Sequence, residues 1–195
     1  MIRTVTRALG NIFAGALLLF AAGSLPAAEP DARLTACLAC HGANGTSETP
    51  LVPSLGGQPG FFLTVQLLMF RDKLRVVAPM NEMLQGVSND ELQATAGYLA
   101  KLPPPAPAGG ADQGRMGRAQ AVIAQNRCNF CHSGNYAGGE NVPRLAGQRE
   151  DYLVKALRDY KNNARRGYDA SMADVLYPIS DEQLIDLAYF LARQR

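Results

Sequence analysis

All four cysteines and both histidines of the chain fall in two pentapeptides, Cys37-Leu38-Ala39-Cys40-His41 and Cys128-Asn129-Phe130-Cys131-His132. Two thiols about one helical turn apart can each add to one vinyl group of the same porphyrin. The histidine that follows then lies under the iron as its proximal ligand. The C-x-x-C-H spacing thus reads as c-type haem attachment. Carried twice, it implies two haem c groups held by Cys37, Cys40, Cys128 and Cys131, with His41 and His132 on the irons.

Other chemistries of cysteine pairs fit less well. A four-cysteine zinc site usually separates its pairs by about 15–20 residues, whereas a whole domain separates Cys40 from Cys131. A redox dithiol needs a βαβ setting, and the sequence shows no such alternation. Disulfides suit an exported protein but do not require histidine at the same place twice.

The chain repeats itself. Val52-Pro53-Ser54-Leu55-Gly56-Gly57-Gln58 resembles Val142-Pro143-Arg144-Leu145-Ala146-Gly147-Gln148 at an offset of 90. Met80, Ser88, Leu92 and Tyr98 face Met172, Ser180, Leu184 and Phe190 at an offset of 92. Each copy therefore runs C-x-x-C-H, a VPxLxGQ turn, a helix, a methionine and a last helix. Between the copies lies Pro103-Pro104-Pro105-Ala106-Pro107-Ala108-Gly109-Gly110, the composition of an extended but flexible linker. The expected division is residues 29–102, linker 103–110, and residues 111–195.

With both histidines used, the sixth iron ligand is expected to be a methionine thioether. In the second copy, Met172 is the only methionine after the haem motif. The first offers Met69, Met80 and Met83, and the repeat selects Met80, eight residues before Ser88 as Met172 is before Ser180. Met83 is the alternative, and core filling is the ordinary role of the rest. Two protein ligands per iron leave no open position for a substrate, so electron transfer rather than catalysis is expected.

The elements positioning these groups read as helices, an all-α fold. The first copy suggests helices over 31–40, 61–73 and, opened by the capping box Ser88-x-x-Glu91, up to Lys101. The second suggests 114–129, 150–165 and a helix capped by Ser180-x-x-Gln183 running nearly to Arg195. Pro53 and Pro143 follow the haem motifs by similar distances, and a backbone carbonyl there could accept the histidine Nδ1 proton; an ordinary turn proline is the alternative. Arg75 and Arg165 or Arg166, at the ends of the middle helices, suit haem propionates or simply the helix dipole. Tyr98 and Phe190 read as packing residues.

The N-terminus has the three parts of a secretory signal: Arg3 and Arg7, an apolar run Ile12 to Ala22, then Ser24-Leu25-Pro26-Ala27-Ala28. Cleavage is expected near Ala27 or Ala28, with an uncleaved anchor as the alternative. Without residues 1–28 the chain holds 17 basic and 17 acidic residues, and no basic stripe points to nucleic acid.

Taken together, CLACHGANG, CNFCHSGN, VPSLGGQ, VPRLAGQ and the runs from methionine to SNDEL and SDEQL resemble the dihaem class I cytochromes c of the cytochrome c4 family, over essentially the whole mature chain. The resemblance implies two class I domains about a pseudo-twofold axis, with haem propionates near their interface. It implies haem binding by Cys37, Cys40, His41, Met80, Cys128, Cys131, His132 and Met172. It implies a periplasmic electron carrier between a quinol-oxidising complex and a terminal oxidase, and peripheral association with the membrane is compatible with such partners. Domain one, expected to start near residue 29, has few residues before Cys37, so its first helix looks short. That short start also resembles the dihaem subunit of flavocytochrome c sulfide dehydrogenases, which makes a periplasmic dehydrogenase a second partner. A catalytic or gas-binding haem protein with a displaced methionine is the third reading.

Overall fold

The computed structural model describes Met1 and residues 32–165 and 170–195. The expected signal segment and Arg166 lie outside the described residues. Among the described residues nine helices follow in order: α1 Ala32–His41, α2 Gly60–Arg71, α3 Ala78–Met83, α4 Asn89–Lys101, α5 Gln113–Asn126, α6 Cys128–His132, α7 Glu150–Lys161, α8 Ser171–Leu176 and α9 Asp181–Ala192. Among the described residues there is no strand, only an isolated bridge between Gly139 and Val142.

Two hydrophobic cores form, each from one half of the chain. Leu63, Leu67 and Phe70 of α2 meet Leu92, Ala96 and Leu99 of α4 in the first. Leu184, Leu187, Ala188 and Leu191 of α9 meet Val122 and Ile123 of α5 and Leu153 and Leu157 of α7 in the second. In α2 and α4 the i, i+4, i+7 spacing puts each set on one helix face. Both capping boxes are present, with the Ser88 and Ser180 hydroxyls accepting from the Glu91 and Gln183 amides.

The Pro-rich segment 103–110 is mostly exposed but touches both halves. Pro105 is buried, and the Ala108 amide donates to the Ala192 carbonyl at 2.8 Å. The segment runs over the glycines of both VPxLxGQ turns. A Cβ on Gly57 (φ +65°) would come 2.8 Å from Pro104 Cβ, and one on Gly147 (φ +70°) 2.5 Å from the Pro105 carbonyl oxygen. Both positions need a left-handed backbone and close approach, which glycine allows.

The two halves differ at the first helix. In the second, buried Asp186 of α9 accepts from Arg115 Nε at 2.9 Å and Arg118 Nε at 2.6 Å, pinning α5 to α9. In the first, short α1 has an exposed Arg33–Glu91 pair at 3.5 Å. The Arg118 hydrogen bond, then Arg115, holds the Asp186 carboxyl below its usual range, against the opposing effect of burial. A folded pKa below the unfolded ~3.9 means the unfolded chain binds more protons in that window. The stabilisation is then complete above about pH 4 and lost as pH falls through the folded value. Asp186→Ala is expected to destabilise the second half by about 1–3 kcal/mol at pH 7, with the deficit shrinking toward pH 3. Urea unfolding across that range measures it.

Candidate functional site

Each C-x-x-C-H motif occupies a helix end whose last residue is the histidine. α1 runs directly into His41. In the second half the helix expected over 114–129 breaks: α5 stops at Asn126, Arg127 turns left-handed at φ 54°, and α6 carries the motif. Cys37 and Cys128 are half-buried, Cys40 and Cys131 are exposed, and no disulfide joins them. Among the described residues no three His, Cys, Asp or Glu side chains gather to hold a metal ion, so the four thiols do not form a zinc cage.

His41 and His132 are buried. His41 Nδ1 lies 2.8 Å from the Pro53 carbonyl and His132 Nδ1 lies 3.0 Å from that of Pro143. A carbonyl only accepts, so Nδ1 carries the proton and Nε2 the lone pair. Burial pushes both imidazoles below their ordinary pKa, against the carbonyl bond, which works the other way. Each ring is therefore neutral, with a fixed tautomer and a free Nε2 lone pair, the form in which an imidazole can bind iron.

The methionines separate by environment. Met80 on α3 and Met172 on α8 are half-buried and pack against their own cores. Met83 is 38% exposed, as is its counterpart Val175. Met69 is buried in α2, with its Sδ 3.9 Å from Gln66 Nε2.

Asn81, unremarked in the sequence, holds the Met80 segment in place. Its Oδ1 accepts from the Val77 amide at 2.7 Å, and its Nδ2 donates to the Phe70 and Arg75 carbonyls at 2.6 and 2.9 Å. Its counterpart is Ala173. Asn81→Ala is expected to cost about 1–3 kcal/mol through the unpaired buried backbone groups. If Met80 binds the iron of the first haem, the substitution should also weaken that haem's Met-to-iron charge-transfer band alone, readable by absorption.

Arg75 and Arg165 lie beyond the middle helices rather than on their ends. α2 and α7 stop short of the expected 73 and 165, at left-handed turns with Lys73 and Asn163 both at φ 56°. The Arg75 amide then returns to the Met69 carbonyl at 3.0 Å and that of Arg165 to Asp159 at 2.9 Å. These matched turns bring the two guanidinium groups together between the halves. Arg75 Nη1 donates to Gln66 Oε1 at 2.7 Å, and Arg165 Nη2 donates to the same oxygen at 3.3 Å. Arg165 Nη1 donates to the Tyr152 hydroxyl at 3.1 Å. Burial, then the charge of Arg165, lowers the Arg75 pKa. Two adjacent cations whose side-chain hydrogen bonds go to uncharged Gln66 and Tyr152 suit an anionic group, and the buried Arg165 Nε has no hydrogen-bond partner. The residues present therefore fit haem: thiols for its vinyls, neutral imidazoles for its iron, guanidiniums for its carboxylates. Tyr98 and Phe190 pack as expected, Phe190 edge-on to Tyr136 at 5.7 Å.

The VPxLxGQ glutamines have a role the repeat alone did not reveal. Gln58 holds the Arg144 backbone, with Nε2 donating to the carbonyl at 2.9 Å and Oε1 accepting from the amide at 3.0 Å. Gln148 holds Ser54 in the same way, at 2.9 and 2.8 Å. Each motif thus grips the other across the interface.

This is the architecture of a tandem c-type cytochrome, and known proteins agree. The cytochrome c family profile matches residues 117–194. The chain is 34% identical to the thiosulfate dehydrogenase electron acceptor of Thiomonas intermedia, over 96% of this chain and 91% of that one. It is 29% identical to cytochrome c4 of Pseudomonas aeruginosa, over 89% and 90%. Its fold matches the cytochrome c4 structure of Acidithiobacillus ferrooxidans with a TM-score of 0.73 at 26% identity, covering 82% of this chain and 99% of that one. The chain belongs to the cytochrome c4 family, and it is a dihaem c electron-transfer protein rather than an enzyme. No described helix is long and apolar enough to cross a membrane.

Proposed function

We propose that His41 with Met80 and His132 with Met172 are the axial pairs of two haems attached through Cys37, Cys40, Cys128 and Cys131. The observation that supports this best is the repeated His–Pro hydrogen bond, accompanied in each half by a half-buried methionine at the equivalent position. Haem c supplies a one-electron iron couple, and a His/Met pair raises its potential. The chain's own residues would hold the group: the Pro53 and Pro143 carbonyls orient His41 and His132 through Nδ1, Met80 and Met172 would supply the second donor to each iron, and Arg75 and Arg165 would pair with propionates. Ligands held rigid in both oxidation states need little reorganisation. Residues 29–102 and 111–195 are the two domains, joined by 103–110. The protein is periplasmic, exported by a signal cleaved near Ala27 or Ala28.

The physiological role is that of a carrier between a quinol-oxidising complex and a terminal oxidase. The similarity to a thiosulfate dehydrogenase electron acceptor favours a second donor, a periplasmic thiosulfate-oxidising dehydrogenase, in place of the sulfide-oxidising flavoprotein suggested by the short first helix. Stopped-flow reduction separates the two. Rapid reduction by a quinol-charged complex alone supports the respiratory carrier. Rapid reduction only by thiosulfate with its dehydrogenase selects the second reading. Binding of carbon monoxide to the reduced protein would contradict both and point to an open iron.

A further inference from the structure

We infer that Gln148 and Gln58 are positioning residues for the proximal histidine of the opposite domain, and that each tunes the potential of the haem across the interface. The inference rests on His41 and His132 being the proximal ligands.

The Pro53 carbonyl and the Ser54 amide belong to one peptide group. The carbonyl oxygen accepts from His41 Nδ1 at 2.8 Å, and the amide donates to Gln148 Oε1 at 2.8 Å. The second domain repeats the arrangement: the Pro143 carbonyl accepts from His132 at 3.0 Å, and the Arg144 amide donates to Gln58 Oε1 at 3.0 Å. A single peptide unit therefore separates each imidazole from a side chain of the other domain. Both glutamines are buried, at 5% and 3% exposure, as is Ser54 at 2%. The Nε2 bond of each glutamine, to the Ser54 or Arg144 carbonyl, fixes the amide plane so that Oε1 faces the N–H; Gln148 Oε1 also accepts from the Arg149 amide at 3.0 Å.

The direction of the effect follows from conjugation. An N–H that donates leaves more negative charge on the carbonyl oxygen of its own peptide, and linked hydrogen bonds strengthen one another by about 10–30% each. A stronger acceptor at Nδ1–H makes the imidazole a more basic ligand, and a more basic ligand favours ferric iron. Removing the glutamine carbonyl should therefore raise the potential of one haem, the one in the other domain. A purely architectural role predicts the reverse. A loosened interface admits water, water stabilises the extra charge of ferric haem, and both potentials fall because the interface is shared.

The test uses the haem-loaded protein with Gln148→Leu or Gln58→Leu, titrated spectroelectrochemically. The reduced, diamagnetic forms are also compared by ¹H–¹⁵N NMR of the histidine Nδ1–H groups. For Q148L the oxidised-to-reduced ratio of the domain-one haem at fixed electrode potential should fall roughly two- to fivefold, as expected for losing one cooperative link. The His41 Nδ1–H resonance should move upfield while that of His132 stays in place. Q58L should give the mirror image. Gln148→Glu keeps an acceptor facing Ser54 and should move the domain-one ratio the opposite way, which keeps the test decisive if Q148L fails to assemble. A shift of both haems together, a shift in the substituted domain, or no shift overturns the relay. An unsubstituted protein lacking two low-spin His-ligated haems overturns the ligand assignment instead, so the two failures are distinguishable.

Discussion

Met80→Ala should remove the thioether from the domain-one haem and leave the domain-two haem as it was. The first haem then becomes high-spin or takes water. Its potential drops by a sizeable part of the roughly 0.8 V that axial ligation spans, and it acquires affinity for carbon monoxide. Met172→Ala should do the same to the second haem alone. Met83→Ala and Met69→Leu should leave both spectra unchanged, because Met83 faces solvent at 38% exposure and Met69 fills the core. Absorption and potentiometry of the four variants decide the matter. Loss of the first haem's low-spin spectrum in Met83→Ala, with Met80→Ala silent, would exchange the two assignments.

The larger expected effect is on the fold itself. Replacing Cys37, Cys40, Cys128 and Cys131 by Ser, so that haem is not retained, should leave a largely unfolded chain. A unit of this size rarely draws more than about 3–5 kcal/mol from its own core, and here two such units share a polar interface. Leu74, Val76, Phe130 and Tyr177 are 67%, 79%, 78% and 78% exposed. His41, His132 and Arg165 are buried polar groups whose remaining valences haem would satisfy. Near-ultraviolet circular dichroism should vanish and the cooperative thermal transition should be lost. A haem-free chain that melts cooperatively at the holoprotein's midpoint would refute this.

Much of the site was legible in sequence because its determinants are local. A C-x-x-C-H helix end, a capping box and a methionine eight residues before it are short-range patterns, and duplication let each copy check the other. What escaped depends on backbone turns or on distant pairing. Arg127 takes a left-handed conformation without being glycine, so nothing in the periodicity marks the break before Cys128. Lys73 and Asn163 end their helices early in the same way, and those turns, not the helix ends, carry Arg75 and Arg165 inward. Asn81 sits beside Met80 in sequence, but its partners are the ends of a different helix and turn. The glutamine grips link residues 86 and 94 positions apart and exist only once the two domains dock. The repeat recorded Gln58 and Gln148 as turn residues because a repeat shows that two positions are alike, not that they face each other's copy.

A chain that moves single electrons through two His/Met-ligated haems has a distinct redox signature. A spectroelectrochemical titration of the mature holoprotein, with haem counted per chain, tests it most directly. The expected result is two haems per chain, both low-spin, both of high potential, and neither binding carbon monoxide when reduced. One haem per chain, or a low-potential, high-spin haem open to carbon monoxide, would contradict it.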